Sequence, residues 1–396
     1  MLSKAFIPYK GYYSSPFSRW QGSMANDNAI VLSSETSKRW ITDKKWDAKA
    51  FDYLILGITV GQPKLFYSGP WSAALIGAED SPGLLISQAC STSTTGIFQA
   101  AVGIETGLYE NVYTLFTDRC SNGPHTIWPN PKGPGGQVIS EDWIMEHFSF
   151  DPWGKTAMIN TAENVVKLAG LTREELDAVA LRRYEQYTDA LADDRAFQKR
   201  YMFPVEIKIS KKKTITIDQD EGIMETTAEG LARLRPVLPD GALTFGSQTH
   251  PADGHCALVV TTQDRARALS EDPDIGIQVI SYGFTRVKKA HMPMAPVPAA
   301  NMALEKAGLS VSDMTVIKTH NPFSANDVYM AKEMNLDVMS FNNYGSSIVF
   351  GHPQAPTAGR SIIEGIEEAV LLGGGYVLFT GCAAGDTAAA IILKVG

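Results

Sequence analysis

Four residues of this chain stand where a short apolar run gives way to small or helix-opening residues: Cys90, His320, His352 and Cys382. A cysteine paired with a histidine is the arrangement that turns a weak thiol into an acylating nucleophile, because the imidazole takes the proton as sulfur attacks. Cys90 follows Leu84-Leu85-Ile86 and precedes Ile97 to Ile104, whose small residues among apolar ones predict a closely packed buried helix. Hydroxyls at Ser91 to Thr95 fall in its first turn. A thiolate there would face unpaired N–H groups and the positive end of the helix dipole, which together lower a thiol's pKa. A buried inert cysteine fits the same stretch. His352 sits in Val349-Phe350-Gly351-His352-Pro353, where glycine allows close backbone approach and proline opens a helix. Cys382, in Gly381-Cys382-Ala383-Ala384-Gly385, offers a second thiol to move a proton. Tight packing without chemistry explains that turn equally.

Strands are needed to place these residues. Tyr53 to Thr59, Asn111 to Thr117, Ala257 to Thr262, Ile275 to Tyr282 and Met314 to Thr319 read as buried strands, and Pro296 to Gly308 as a helix, an α/β order. From about Ser121 to Leu243 the chain turns polar, with amphipathic helices over Thr161 to Leu168 and Arg173 to Ala190, as an inserted module would. Its Lys211-Lys212-Lys213 run reads as a solvated edge, with phosphate binding as the alternative. Tyr-x-Leu-Phe-Thr recurs at Tyr113 and Tyr376, and Gly-Ile-Glu at Gly103 and Gly365. A repeat at that separation predicts two similar α/β halves, with the helix starts at Cys90 and His352 meeting between them, where ligand sites concentrate.

Composition narrows the class. The 396 residues can bury one large core or two medium ones, and a net charge of −8 argues against nucleic acid as a partner. No run is apolar enough to span a bilayer and the N-terminus lacks a signal-peptide core, so the expectation is a cytoplasmic protein with no membrane contact. Four dispersed cysteines without a CxxC pair point to free thiols and no metal.

Over nearly its full length the chain resembles the thiolases. Cys90 matches their acyl-accepting cysteine, Gly351-His352-Pro353 their GHP motif, and Cys382 their second catalytic cysteine; Pro296-Val297-Pro298-Ala299, Asp253-Gly254 and Ser121-Asn122-Gly123-Pro124 also match. The resemblance implies a duplicated α/β fold of five layers. It divides the chain into an N-terminal half (residues 1–121 and 244–270), an inserted CoA-covering loop domain (122–243) and a C-terminal half (271–396). It also implies a 3-oxoacyl-CoA substrate, coenzyme A as co-substrate with no permanently bound cofactor, and a homodimer or larger assembly. By similarity, the backbone N–H groups of Cys90 and Ala384 receive the tetrahedral oxygen. His352, with a water held by His320, receives the thioester oxygen. Met158, Ser247, Thr249, His250 and Phe323 are expected around the acyl and CoA pockets.

Departures cluster at those pockets. The family's Asn-Glu-Ala-Phe is His320-Asn321-Pro322-Phe323, its Asn-Ala-Ser-Gly is Ser247-Gln248-Thr249-His250, and a histidine often found before Met158 is Ala157. Ala355-Pro356-Thr357-Ala358 and Ala383-Ala384-Gly385-Asp386 depart as well. The expected substrate is bulkier or more polar than acetoacetyl-CoA. Benzoylsuccinyl-CoA is one candidate, with His250 and Arg360 pairing with its carboxylate, and a small zinc-ribbon/OB-fold protein is a candidate partner subunit, as in that thiolase branch. Two other readings compete: a decarboxylating ketosynthase-like enzyme using Cys90, His320 and His352, and a non-catalytic acyl-CoA-binding subunit.

Overall fold

The computed structural model describes residues 1–396. Two sheets dominate it. The first contains β1 (Tyr12–Ser14), β2 (Tyr53–Gly57), β3 (Gly83–Ile86), β4 (Asn111–Arg119) and β5 (Ala252–Thr261) in the order β1-β5-β4-β2-β3, and Ser18–Arg19 also pairs with β5. The second contains β6 (Ile277–Arg286), β7 (Met314–His320), β8 (Gly375–Ala383) and β9 (Thr387–Val395) in the order β6-β9-β8-β7. Both share one pattern. β2 runs parallel to β4 and β4 antiparallel to β5, just as β7 runs parallel to β8 and β8 antiparallel to β9. The Tyr-x-Leu-Phe-Thr repeat lies on the equivalent strands β4 and β8, so it records a structural duplication.

Eight helices matter to the layering: α1 (Ala29–Asp43), α2 (Ser68–Ile76), α3 (Thr92–Glu105), α4 (Met158–Ala169), α5 (Arg173–Arg195), α6 (Pro296–Ala307), α7 (Ser324–Met334) and α8 (Ala355–Leu371). α3 and α8 pack on each other and each touches strands of both sheets, α1 and α2 cover the first sheet, and α6 covers the second. The result is five layers. Strands with helices on both faces should be apolar throughout; every residue of β5 and eight of nine in β4 are buried. Close helix–sheet approach depends on small residues: a Cβ on Gly96 of α3 would lie 2.4 Å from the Phe116 ring. The largest core cluster draws residues from both halves, including Ile97, Ile104, Phe116, Ile362, Ile366 and Phe379. No helix is long and apolar enough to cross a membrane.

Between β4 and β5 the chain forms a hairpin (His125–Pro129 with Val138–Asp142), then α4 and α5, then a second hairpin (Val205–Ser210 with Lys213–Ile217). Lys211 and Lys212 form the exposed turn of that second hairpin and the exposed Lys213 opens its second strand. Buried ion pairs tie this segment to the rest. Arg183 of α5 meets Asp327 of α7 at 2.9 Å with both side chains fully buried. Arg360 of α8 grips Asp220 through two bonds of 2.7 and 2.8 Å, reaches Glu364 at 3.0 Å and stacks 4.0 Å from the Phe350 ring centre. This corrects the expectation that Arg360 meets a substrate carboxylate: it is fully buried and already saturated by Asp220 and Glu364. Arg360→Met should leave two buried carboxylates without their cation and lower the unfolding free energy by about 3–5 kcal/mol. Urea titration reads that loss, and the KM of the folded fraction for its acyl substrate should not change.

Candidate active site

After β3 the chain makes a tight turn into α3, fixed by the Thr92 hydroxyl, which accepts from the Gln88 N–H at 2.8 Å and donates to the Ala89 carbonyl at 2.7 Å. Ala89 takes a left-handed φ of 44°. The turn presents Cys90 toward the second half, and the Ser91 hydroxyl donates to the Gly381 carbonyl of β8 at 3.2 Å. On the facing side Gly351 has φ +85°, and a Cβ there would lie 2.9 Å from both Ala252 Cβ and His250 Nε2. Glycine alone fits. The next residue, His352, donates its N–H to the His250 carbonyl at 2.8 Å.

Its ring bridges the halves. Nε2 lies 3.0 Å from Cys90 Sγ and Nδ1 lies 2.7 Å from Thr357 Oγ1. With Nδ1–H donating to Thr357, Nε2 is free to accept the thiol proton, the tautomer a base requires. His320, at the end of β7, stacks its ring centre 4.1 Å from that of His352 and places Nδ1 3.0 Å from Ser347 Oγ. Cys382 is buried on β8 and accepts from Asn326 Nδ2 at 3.2 Å. The backbone N–H groups of Ala384 and of Cys90 itself lie close enough to Cys90 Sγ to favour its thiolate. One donor atom from each of Cys90, His320 and His352 lies within 4.8 Å of the others, a spacing that a soft cation could bridge.

A cavity of about 590 Å³ opens onto Cys90, His352 and Ala384. Trp143, Phe148, Met158, Phe245, Met292 and Phe323 supply apolar wall, and Gln248, Thr249 and His250 supply polar wall. Of the expected pocket residues, Met158, Thr249, His250 and Phe323 line it. Ser247 does not: it is fully buried, its Oγ accepts the Thr244 N–H at 2.8 Å and its carbonyl accepts the Ser324 N–H at 2.9 Å, so it shapes a turn. His320 and Cys382 lie buried beside the cavity and are not part of its lining. Thr357, Asn326 and Ser347, which hold the reactive side chains, were not singled out by the sequence; Thr357 had a signal in its place on the first turn after the histidine motif.

Burial overturns one electrostatic expectation. The Cys90 thiol is pushed up to about 12, because loss of water outweighs the two N–H groups that favour the thiolate. His352 is held well below the ordinary imidazole value by burial and by its neighbours His320 and His250, and burial takes His320 down to about 3. The resting pair is therefore a neutral thiol hydrogen-bonded to a neutral imidazole. A separated thiolate and imidazolium would cost more in this dry setting.

The family profiles described as "Thiolase, N-terminal domain" and "Thiolase, C-terminal domain" match residues 11–264 and 275–395. The chain belongs to the thiolase family. It is 26% identical over 386 residues to the human mitochondrial 3-ketoacyl-CoA thiolase, covering 96% of each chain, and 29% identical over 352 residues to an Escherichia coli acetyl-CoA acetyltransferase, covering 87% of each. Its structure superimposes on the crystal structure of the human thiolase with a TM-score of 0.90 at 26% identity, covering 99% of each chain. A second crystal structure of the human protein, in complex with CoA, gives the same score. The five layers are thus the duplicated thiolase fold, and this thiolase is an acyltransferase with CoA-dependent activity.

The neutral resting pair has a measurable consequence. With the thiol raised to about 12 it stays protonated through the physiological range, so its thiolate fraction climbs with every step in pH. Because neutral His352 takes the proton as sulfur attacks, iodoacetamide alkylation of Cys90 in the ligand-free thiolase should slow about 100-fold in His352→Ala, and the residual rate should climb about tenfold per pH unit between roughly pH 7 and 9. An alkylation rate unchanged in His352→Ala would show that the imidazole does not act as the base.

Proposed function

We propose that this thiolase cleaves, or in the reverse direction forms, a 3-oxoacyl-CoA by CoA-dependent thiolysis through an acyl-enzyme on Cys90. The 3.0 Å contact between Cys90 Sγ and His352 Nε2 carries this reading. Sulfur attacks the 3-keto carbon while its proton passes to His352, so charge moves to the new oxyanion and no free Cys90 thiolate precedes the attack. The Cys90 and Ala384 N–H groups receive that oxyanion, each worth about 3–4 kcal/mol. Collapse breaks the C2–C3 bond, and Cys382 protonates the departing carbanion. In the second stage the Cys382 thiolate takes the thiol proton of incoming CoA. The CoA sulfur attacks the acyl group, and His352 returns its proton to Cys90 as the new thioester leaves. His352 and a water held by His320 stabilise the thioester oxygen.

The cavity supports an acyl group bulkier or more polar than acetoacetyl. Its aromatic and methionine walls suit an aryl ring, and His250, whose Nε2 meets no protein partner, suits a carboxylate. Benzoylsuccinyl-CoA is the specific candidate. Beyond CoA and its thioesters, the partner proposed is a second copy of the chain: β3 pairs only with β2 and leaves its other edge open, as strand addition requires. The half-exposed Ile127, Trp128, Val138 and Ile139 on the first hairpin support a larger assembly, with a zinc-ribbon/OB-fold subunit as one candidate member. We place the protein in the cytoplasm.

Intact-protein mass spectrometry with a panel of 3-oxoacyl-CoA thioesters, one of them aromatic and dicarboxylic, tests the reaction. An adduct on Cys90 that CoA discharges is expected, and its mass identifies the acyl group; no adduct with any thioester would overturn the proposal. Cys382→Ala should leave acyl transfer to Cys90 largely intact and cut carbon–carbon cleavage by about 100-fold or more. Unimpaired turnover in that variant would favour a ketosynthase-like reaction.

A further inference from the structure

Asp118 is a fully buried carboxylate near the end of β4 that the thiolysis scheme does not use. Four donors surround it. Oδ1 accepts the backbone N–H groups of Thr59 at 2.9 Å and Val60 at 2.8 Å, and Oδ2 accepts the Thr59 hydroxyl at 2.7 Å and the Ala355 N–H at 2.8 Å. Thr59 and Val60 follow β2 in the first half. Ala355 opens α8 in the second, two residues before Thr357 and three after His352. One carboxylate therefore pins the turn that carries the histidine to the opposite half of the molecule.

That turn is not at rest. Gln354, between His352 and Ala355, has φ +52° and ψ −91°, a conformation that residues with a Cβ avoid unless their surroundings impose it. Its side-chain amide lies 3.0 Å from the Thr59 hydroxyl oxygen, whose proton goes to Asp118, so the residue sits against the segment Asp118 holds. We infer that Asp118 is a positioning residue whose carboxylate keeps the His352–Thr357 turn in its strained form and so aims His352 Nε2 at Cys90 Sγ. Without the acceptor for the Ala355 N–H, Gln354 relaxes to an ordinary negative φ. The chain rotates, and Thr357 Oγ1 withdraws from His352 Nδ1. The inference rests on the reading of Cys90 and His352 as nucleophile and base.

Asp118→Asn preserves shape but turns an amide NH2 group toward one pair of the donors. Folded variant protein, checked by circular dichroism, is expected to lose on the order of 10- to 100-fold in kcat with KM unchanged, and to alkylate Cys90 correspondingly more slowly. Adding Gln354→Gly should restore part of both rates, because glycine adopts that backbone without strain. If Asp118→Asn does not fold, Thr59→Val, which deletes one donor to the same carboxylate, should show a smaller loss of the same kind. Unchanged kcat and alkylation in a folded variant would overturn the inference, as would a double variant no faster than Asp118→Asn. Alkylation reports the Cys90–His352 geometry even if the wild-type protein forms no acyl adduct, so failure of the functional reading and failure of this inference are distinguishable.

Discussion

Everything at the site depends on α3 and α8 being pressed together between the two sheets. Each helix start is an ordinary place for a reactive side chain, but neither half holds a complete set. Cys90 comes with the first half; His320, His352 and Cys382 come with the second. The small residues that look unremarkable in sequence, such as Gly96 against Phe116 and Gly351 against His250 and Ala252, allow the halves to close to hydrogen-bonding distance. A methyl group at either would push the reacting atoms apart.

The same closeness excludes water, and that decides the electrostatics. A helix start in solvent favours a thiolate; here desolvation wins and the pair rests neutral. Such a site stores no separated charge before substrate arrives. In the proposed reaction the Cys90 and Ala384 N–H groups would receive the developing charge, and the Ser91 tie to Gly381 holds the two segments that carry them together, so little reorganisation would accompany it.

Much of this could be read in the chain. Buried strands such as Asn111–Arg119 announced themselves by apolar β-branched and aromatic runs, and the Tyr-x-Leu-Phe-Thr repeat gave away the duplication because equivalent strands face equivalent helices. β9 was not legible: Thr387-Ala388-Ala389-Ala390 has helical propensity, yet it is a central strand whose alanines let α6 pack against it. Cys90 stood out by residue type and its place before a helix, His352 and Cys382 by residue type and a preceding glycine. Thr357, Asn326 and Asp118 did not, since a hydroxyl, an amide and a carboxylate gain meaning only from the partner the fold brings to them. Arg360 misled for the same reason: an arginine near the histidine motif looks available until Asp220, 140 positions away, closes on it.

The contact between Cys90 and His352 spans 262 positions. On a growing chain, Cys90 leaves the ribosome long before His352 and the α8 turn. Chains fold their early portions first and complete long-range pairings last. Until the second half docks, Cys90 has neither the His352 imidazole nor the Ala384 N–H group beside it, so the proposed acyl-transfer set is incomplete. The complete set is thus assembled only once both halves are present, and a chain cut before His352 lacks it.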